Sequence, residues 1–272
     1  MNPARSAFPH NHSLGVFALT ALLAFTAATS ARSATTLVDD QFIDGGLTNG
    51  TDALDAGWTS LSNTALTVGA FDSTGNTSDA LRVDTTAGFS GTRGQFTGAA
   101  LAIGESITLS FDFRITNTAG NDSAGLRLGL SSSANTYAFT FGTGTTTGGG
   151  IAQFGSNTVG GTNTIYTATG TPFSINDTAA HTFSFTITRT SGTSLSFLGS
   201  VDANTISAVT SNSISNFTFT NIVLGQGGTS NDFNIDNVLV TMGAIPEPST
   251  YATLAGLGAL GLVALQRRRG SR

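Results

Sequence analysis

Carboxylates are the residues with which the central part of this chain could most readily do chemistry, and their distribution is uneven. Between positions 35 and 244 stand one glutamate, Glu105, and fourteen aspartates. Glycosidic hydrolysis needs two carboxyl groups, one a protonated acid and the other a nucleophile or base, about 5–10 Å apart. Glu105 lies in the turn-like run Ile103-Gly104-Glu105-Ser106, and no aspartate spacing singles out a partner for it. Asp232, Asn234 and Asp236 fall at i, i+2 and i+4, which on a strand places three oxygen-bearing side chains on one face. Asp39 and Asp40 would join them if the two ends of the domain pair. Hard oxygen ligands suit Ca²⁺, although the glycine and distant glutamate of an EF-hand loop are missing. A structural calcium site and a solvated strand face are both open readings of this triplet.

Other reactive constellations are thinner. His181 is the only histidine beyond position 12, and no G-x-S-x-G occurs, so a serine hydrolase lacks its parts and a multi-histidine zinc site cannot be built. His181 reads as a surface residue opening a strand. Cysteine is absent, which removes thiol catalysis and cysteine-ligated metals. Trp58, the sole tryptophan, and Tyr137 and Tyr166 have two readings: a platform stacked on a sugar ring, or core anchors with their polar atoms satisfied.

The elements that must position these groups are strands. Ile107, Leu109, Phe111, Phe113 and Ile115 alternate with Thr108, Ser110, Asp112 and Arg114, the period of two expected of a half-buried strand. The pattern recurs at Leu126, Leu128 and Leu130; at Tyr137, Phe139 and Phe141; at Phe183, Phe185 and Ile187; and at Leu195 and Phe197. Gly, Ser, Thr, Asn and Asp clusters separate these runs, and Thr143 to Gly150 reads as a loop. Two segments change phase. Apolar positions move from Phe217 and Phe219 to Ile222 and Leu224, and from Phe233 and Ile235 to Val238 and Val240, each predicting a β-bulge or a strand covered on both faces. No central segment has a helical period. The expectation is an all-β, two-sheet antiparallel sandwich of jelly-roll type over residues 35–244.

The two ends differ in character from this body. Arg5, the apolar stretch Leu14 to Ala28 and the small residues after it form the pattern of a signal peptide over residues 1–34, with an uncleaved anchor as the alternative. At the other end Pro246, Glu247 and Pro248 precede an apolar run from Tyr251 to Leu265, closed by Arg267, Arg268 and Arg269. As a helix this run is about 22 Å long, short for a bilayer core of about 30 Å unless its arginines snorkel. Basic residues after an apolar run mark a membrane stop on the cytoplasmic side. Gly256, Gly258 and Gly261 spell G-x-G-x-x-G, but no βαβ unit can follow, so they read as small residues of a membrane helix.

The order of proline-flanked acid, apolar helix and arginine cluster from Ile245 to Arg269 resembles the PEP-CTERM sorting signal of exported bacterial proteins. That resemblance implies recognition by an exosortase-like membrane protease, membrane anchoring before processing near Pro246-Glu247-Pro248, and a place in the cell envelope, at the cell surface or in an exopolysaccharide matrix. The segments Val38 to Phe42 and Phe233 to Val240 resemble the first and last strands of concanavalin-like or carbohydrate-binding jelly rolls, which implies terminal strands lying close together. Laminarinase-like members of that group carry E-x-D-x-x-E on a strand, and this chain lacks it.

Charge narrows the partners. Residues 35–244 hold five arginines against fifteen acids, a formal −10, and the chain has no lysine, so a nucleic-acid partner is excluded. The expected function is a non-catalytic, exported, glycan-associated surface protein without a cofactor beyond the calcium considered above. A self-assembling matrix protein and a glycan-active hydrolase are the alternatives.

Overall fold

The computed structural model describes residues 33–244, except 49–52, 63, 72–78, 86–89, 117–125, 134, 142–151, 159–162, 172, 174, 176, 211–213 and 227–231. The apolar N-terminal stretch, the loop at 143–150 and the tail from 245 onward, with the helices expected at either end, lie outside the described residues. Among the described residues every regular element is a strand. In chain order these are β1 Thr35–Asp40, β2 Gly57–Ser62, β3 Thr64–Gly69, β4 Ala80–Thr85, β5 Ser90–Ala100, β6 Glu105–Ile115, β7 Leu126–Ser131 and β8 Asn135–Phe141. They continue as β9 Ala152–Thr158, β10 Asn163–Tyr166, β11 Thr169–Gly170, β12 Ala180–Arg189, β13 Leu195–Val201, β14 Asn204–Val209, β15 Thr218–Gln226 and β16 Phe233–Ala244.

Two antiparallel sheets result, as the alternation predicts. The first runs β11-β14-β13-β12-β6-β16-β4-β3, with β1 also paired to β16; the second runs β10-β9-β8-β7-β15-β5-β2. The β6/β12 register shows why the alternating sequence folds this way. Ile187 faces Ile107, Phe185 faces Leu109 and Phe183 faces Phe111 on the inner side, while Thr188 faces Ser106 and Thr186 faces Thr108 on the outer side. A one-residue slip would exchange the two faces, so burial fixes the register. The second sheet supplies the opposing wall through Leu128, Leu130, Phe139, Phe154, Ile222 and Leu224, all buried.

Phenylalanine dominates the space between the sheets. Phe139 meets Phe154 edge-on at 5.5 Å and Phe183 at 5.7 Å, and Phe154 stacks on Phe185 at 5.9 Å. Rings of this size pack closely only where a partner is small. At Gly199, on the inner side of β13, a Cβ would fall well inside the van der Waals envelope of the Phe139 ring and reach Phe154 at 3.0 Å.

Both phase changes are bulges. The register of β15 on β5 shifts between Phe219 and Asn221, and that of β16 on β6 shifts between Asp236 and Leu239, with Asn237 at φ 54°. The ends of the domain also pair, Asp39 opposite Leu239 and Asp40 opposite Val238, as the jelly-roll resemblance implies. Residue 244, the last of β16, therefore lies beside the start of the domain, and the chain beyond it leaves from that point.

Candidate functional site

The outer side of the first sheet carries a concave feature. β12 offers Thr186 and Thr188 there, β13 offers Ser196 and Leu198, and β14 offers Ser207 and Val209. Thr167 and Thr169, on the approach to β11 and in it, raise one wall because β11 pairs with β14, Thr169 opposite Ser207. The register lines these side chains up across strands: Ser207 beside Leu198, Leu198 beside Thr186, Thr186 beside Thr108. Thr186 and Thr108 share a hydroxyl hydrogen bond of 2.9 Å. The groove encloses about 570 Å³, within the roughly 300–1,000 Å³ range of small-molecule clefts. Among the described residues, none that lines it is charged. Leu198 and Val209, 50% and 61% exposed, are the large apolar side chains on its surface. The nearby cation, Arg189, is engaged elsewhere: its guanidinium donates to the carbonyls of Leu101 and Ser191 and lies 3.7 Å from the Phe217 ring centre.

The aromatic residues considered as sugar platforms are inside the protein, which corrects that reading. Trp58, Tyr137 and Tyr166 are 3%, 1% and 3% exposed, too enclosed to stack on a pyranose. Trp58 Nε1 donates to Asp40 Oδ2 at 2.7 Å, and its ring leans on Phe42. Asp40 is itself buried and also accepts from the backbone N–H groups of Phe42 and Ala56. Burial, the largest influence, raises its carboxyl above the ordinary value, against the pull of these donors. Tyr166 bonds Ser156 through its hydroxyl and packs on Phe197. Tyr137 packs between Phe197 and Phe219, where burial pushes its phenol up.

The Asp232, Asn234, Asp236 triplet does not form a solvated face. Asn234 and Asp236 are 4% and 1% exposed, while Asp232 accepts from Arg82 Nη2 at 3.4 Å. Asp236 turns back to accept from the N–H of Asn237 at the bulge. Among the described residues no group of three or more His, Cys, Asp or Glu side chains is placed to hold a metal ion. Glu105 opens β6, and its carboxylate accepts from the Ala102 N–H, closing the preceding turn.

His181 is more constrained than a surface residue at a strand start. It shares the inward phase of Phe183, Phe185 and Ile187, sits 5.5 Å from the Phe113 ring and opposes Phe113 in register. Nε2 faces Asp177 Oδ1 at 2.9 Å and Nδ1 faces Asp202 Oδ2 at 2.8 Å. Both ring nitrogens thus face carboxylate oxygens, which fixes the orientation of the imidazole. The Ala179 N–H, followed by His181, holds the Asp177 carboxyl below its usual range. The phase shared with three inward residues was the sequence signal for this placement. The groove had a fainter signal, the run of uncharged outward positions on β12, β13 and β14.

Residues 244–269 match the model of the PEP-CTERM protein-sorting motif, a match that includes Pro246, Glu247, Pro248 and Arg267 to Arg269. No curated protein matches the sequence. Solved structures similar to the chain include the carbohydrate esterase vb_24B_21 of Shiga toxin-encoding bacteriophage phi24B, at 13% identity and TM-score 0.47, covering 78% of this chain and 100% of the other. The T. cruzi calreticulin globular domain is similar at 13% identity and TM-score 0.49, covering 88% and 100%. Peanut lectin is similar at 8% identity and TM-score 0.45, covering 80% and 100%. Likenesses of this degree carry no residue role to this chain.

Proposed function

We propose that the chain is an exported cell-envelope protein whose tail is recognised and processed by an exosortase-like membrane protease near Pro246-Glu247-Pro248, leaving a non-catalytic sandwich that associates with glycan. The sorting-motif match at residues 244–269 carries this reading. The fold supports it in one respect: β16 ends at Ala244, the residue at which the matched motif begins. A non-catalytic role is supported by how the candidate groups are used. Glu105 closes a turn and His181 is held between two aspartates. Among the described residues, no helix is long and apolar enough to cross a membrane; the membrane segment of this proposal is Tyr251 to Leu265, outside them. Cell fractionation tests the proposal. Deleting residues 245–272 should shift the protein away from the envelope, and an unchanged destination would overturn it.

One observation favours self-assembly as a second reading. Among the described strands β3, Thr64–Gly69, is one of the two at the ends of the first sheet and carries no charged side chain, the kind of edge onto which another strand can add. Light scattering of the full chain distinguishes this reading, since assembly that Thr67→Lys abolishes would support it and a monomer at all concentrations would remove it.

A further inference from the structure

We infer that the groove over β11, β14, β13 and β12 binds an uncharged glycan, and that it selects against acidic polysaccharide. The inference rests on the glycan-associated reading above and adds to it the site and the class of polymer.

The lining decides the class. Thr167, Thr169, Thr186, Thr188, Ser196 and Ser207 present hydroxyls that both donate and accept, which matches sugar hydroxyls in either orientation. Leu198 and Val209 stand exposed among them and offer apolar surface to the C–H faces of sugar rings. Four strands about 4.8 Å apart span roughly 14 Å, so an extended oligosaccharide can lie across them. An acidic polymer has no counter-charge to meet. Among the described residues none lining the groove is charged, Arg189 is turned to Leu101, Ser191 and Phe217, and residues 35–244 carry a formal −10. That field repels a polyuronate at low ionic strength and offers nothing to hold it at high ionic strength. A neutral polymer is indifferent to the field and is held by hydroxyls and apolar contact.

The test uses the full chain in a sugar-free detergent, with a neutral β-glucan, a neutral α-glucan and a polyuronate as probes in affinity electrophoresis. Retention on at least one neutral glucan, unchanged between low and high salt, is the expected result. Leu198→Asp should weaken that retention about tenfold, and Val209→Asp should act in the same direction. Both positions are exposed, so melting temperatures should stay near that of the wild type, and Ile43→Asp, at an exposed position outside the groove, should leave retention unchanged. Retention confined to the polyuronate and lost in salt would overturn the inference while leaving the glycan-associated reading intact. So would neutral retention that neither groove substitution weakens. Failure to bind any probe would overturn both, and concentration-dependent assembly that Leu198→Asp abolishes would assign the face to a second copy of the chain instead.

Discussion

Asp40 and Gly199 show how single residues shape the core. Asp40 gathers the N–H groups of Phe42, Ala56 and Trp58 around a buried carboxyl whose proton affinity is raised by that burial. The folded carboxyl thus keeps its proton to higher pH than the unfolded one. The stability it contributes is complete below the ordinary value of 3.8 and is lost as pH rises through the folded value. Fluorescence of Trp58, the sole tryptophan, should report this directly, changing with a midpoint above 3.8, and Asp40→Asn should abolish the change. A midpoint at or below 3.8 would contradict the burial argument. Gly199 leaves room for the Phe139 ring, so Gly199→Ala should cost about 1–3 kcal/mol in urea unfolding through overpacking. Little of this was legible beforehand. The sequence offered Trp58 two readings, core and platform, and nothing near it said that an aspartate 18 residues earlier would take its indole N–H. His181 was misplaced on the surface for a different reason: its own polarity outweighed the inward phase it shares with Phe183 and Phe185.

Elements were far more legible, because burial on one face of a strand writes itself into the sequence with a period of two. The strands at 107–115 and 183–187 follow from alternation alone, and their mutual register follows from matching the buried faces. The two phase changes also survive as bulges in β15 and β16. What alternation could not convey is the backbone that absorbs the extra residue. At the β16 bulge Asn237 takes φ 54°, its N–H donates to Asp236 and its side-chain amide donates to Asp112 Oδ2 at 2.9 Å. A β-branched side chain tolerates that conformation poorly. Asn237→Val should therefore destabilise the domain by about 1–3 kcal/mol, and Asn237→Gly by less, since glycine accepts the φ and forfeits only the bond to Asp112. Equal losses on thermal unfolding would show that the side-chain bond, and not the backbone, governs the site. The groove belongs to this scale as well. Its hydroxyls are ordinary outward positions on four strands and the approach to β11, and only the order β11-β14-β13-β12 brings them to one surface.

For the whole molecule, a sandwich with an uncharged groove and a strongly acidic formal charge precedes a motif matched to a sorting signal, and the two parts make separate demands. Asp232 accepts from Arg82 and Asp236 from the Asn237 N–H, so adding EDTA to the purified protein should leave its melting temperature unchanged. A fall of several degrees would revive a calcium site around Asp232, Asn234 and Asp236. The pairing of β1 with β16 brings the start of the domain beside the point where the tail departs, an arrangement that the resemblance of the terminal segments to jelly-roll end strands anticipated. The tail itself declared its nature through composition and order, since proline, acid, apolar run and arginines are read without any knowledge of the fold. The intact mass of the protein recovered from the cells that make it decides whether the tail is processed. The predicted mass lacks Arg267, Arg268 and Arg269, with the new C-terminus close to Pro246-Glu247-Pro248. A mature protein that still carries those three arginines would contradict it.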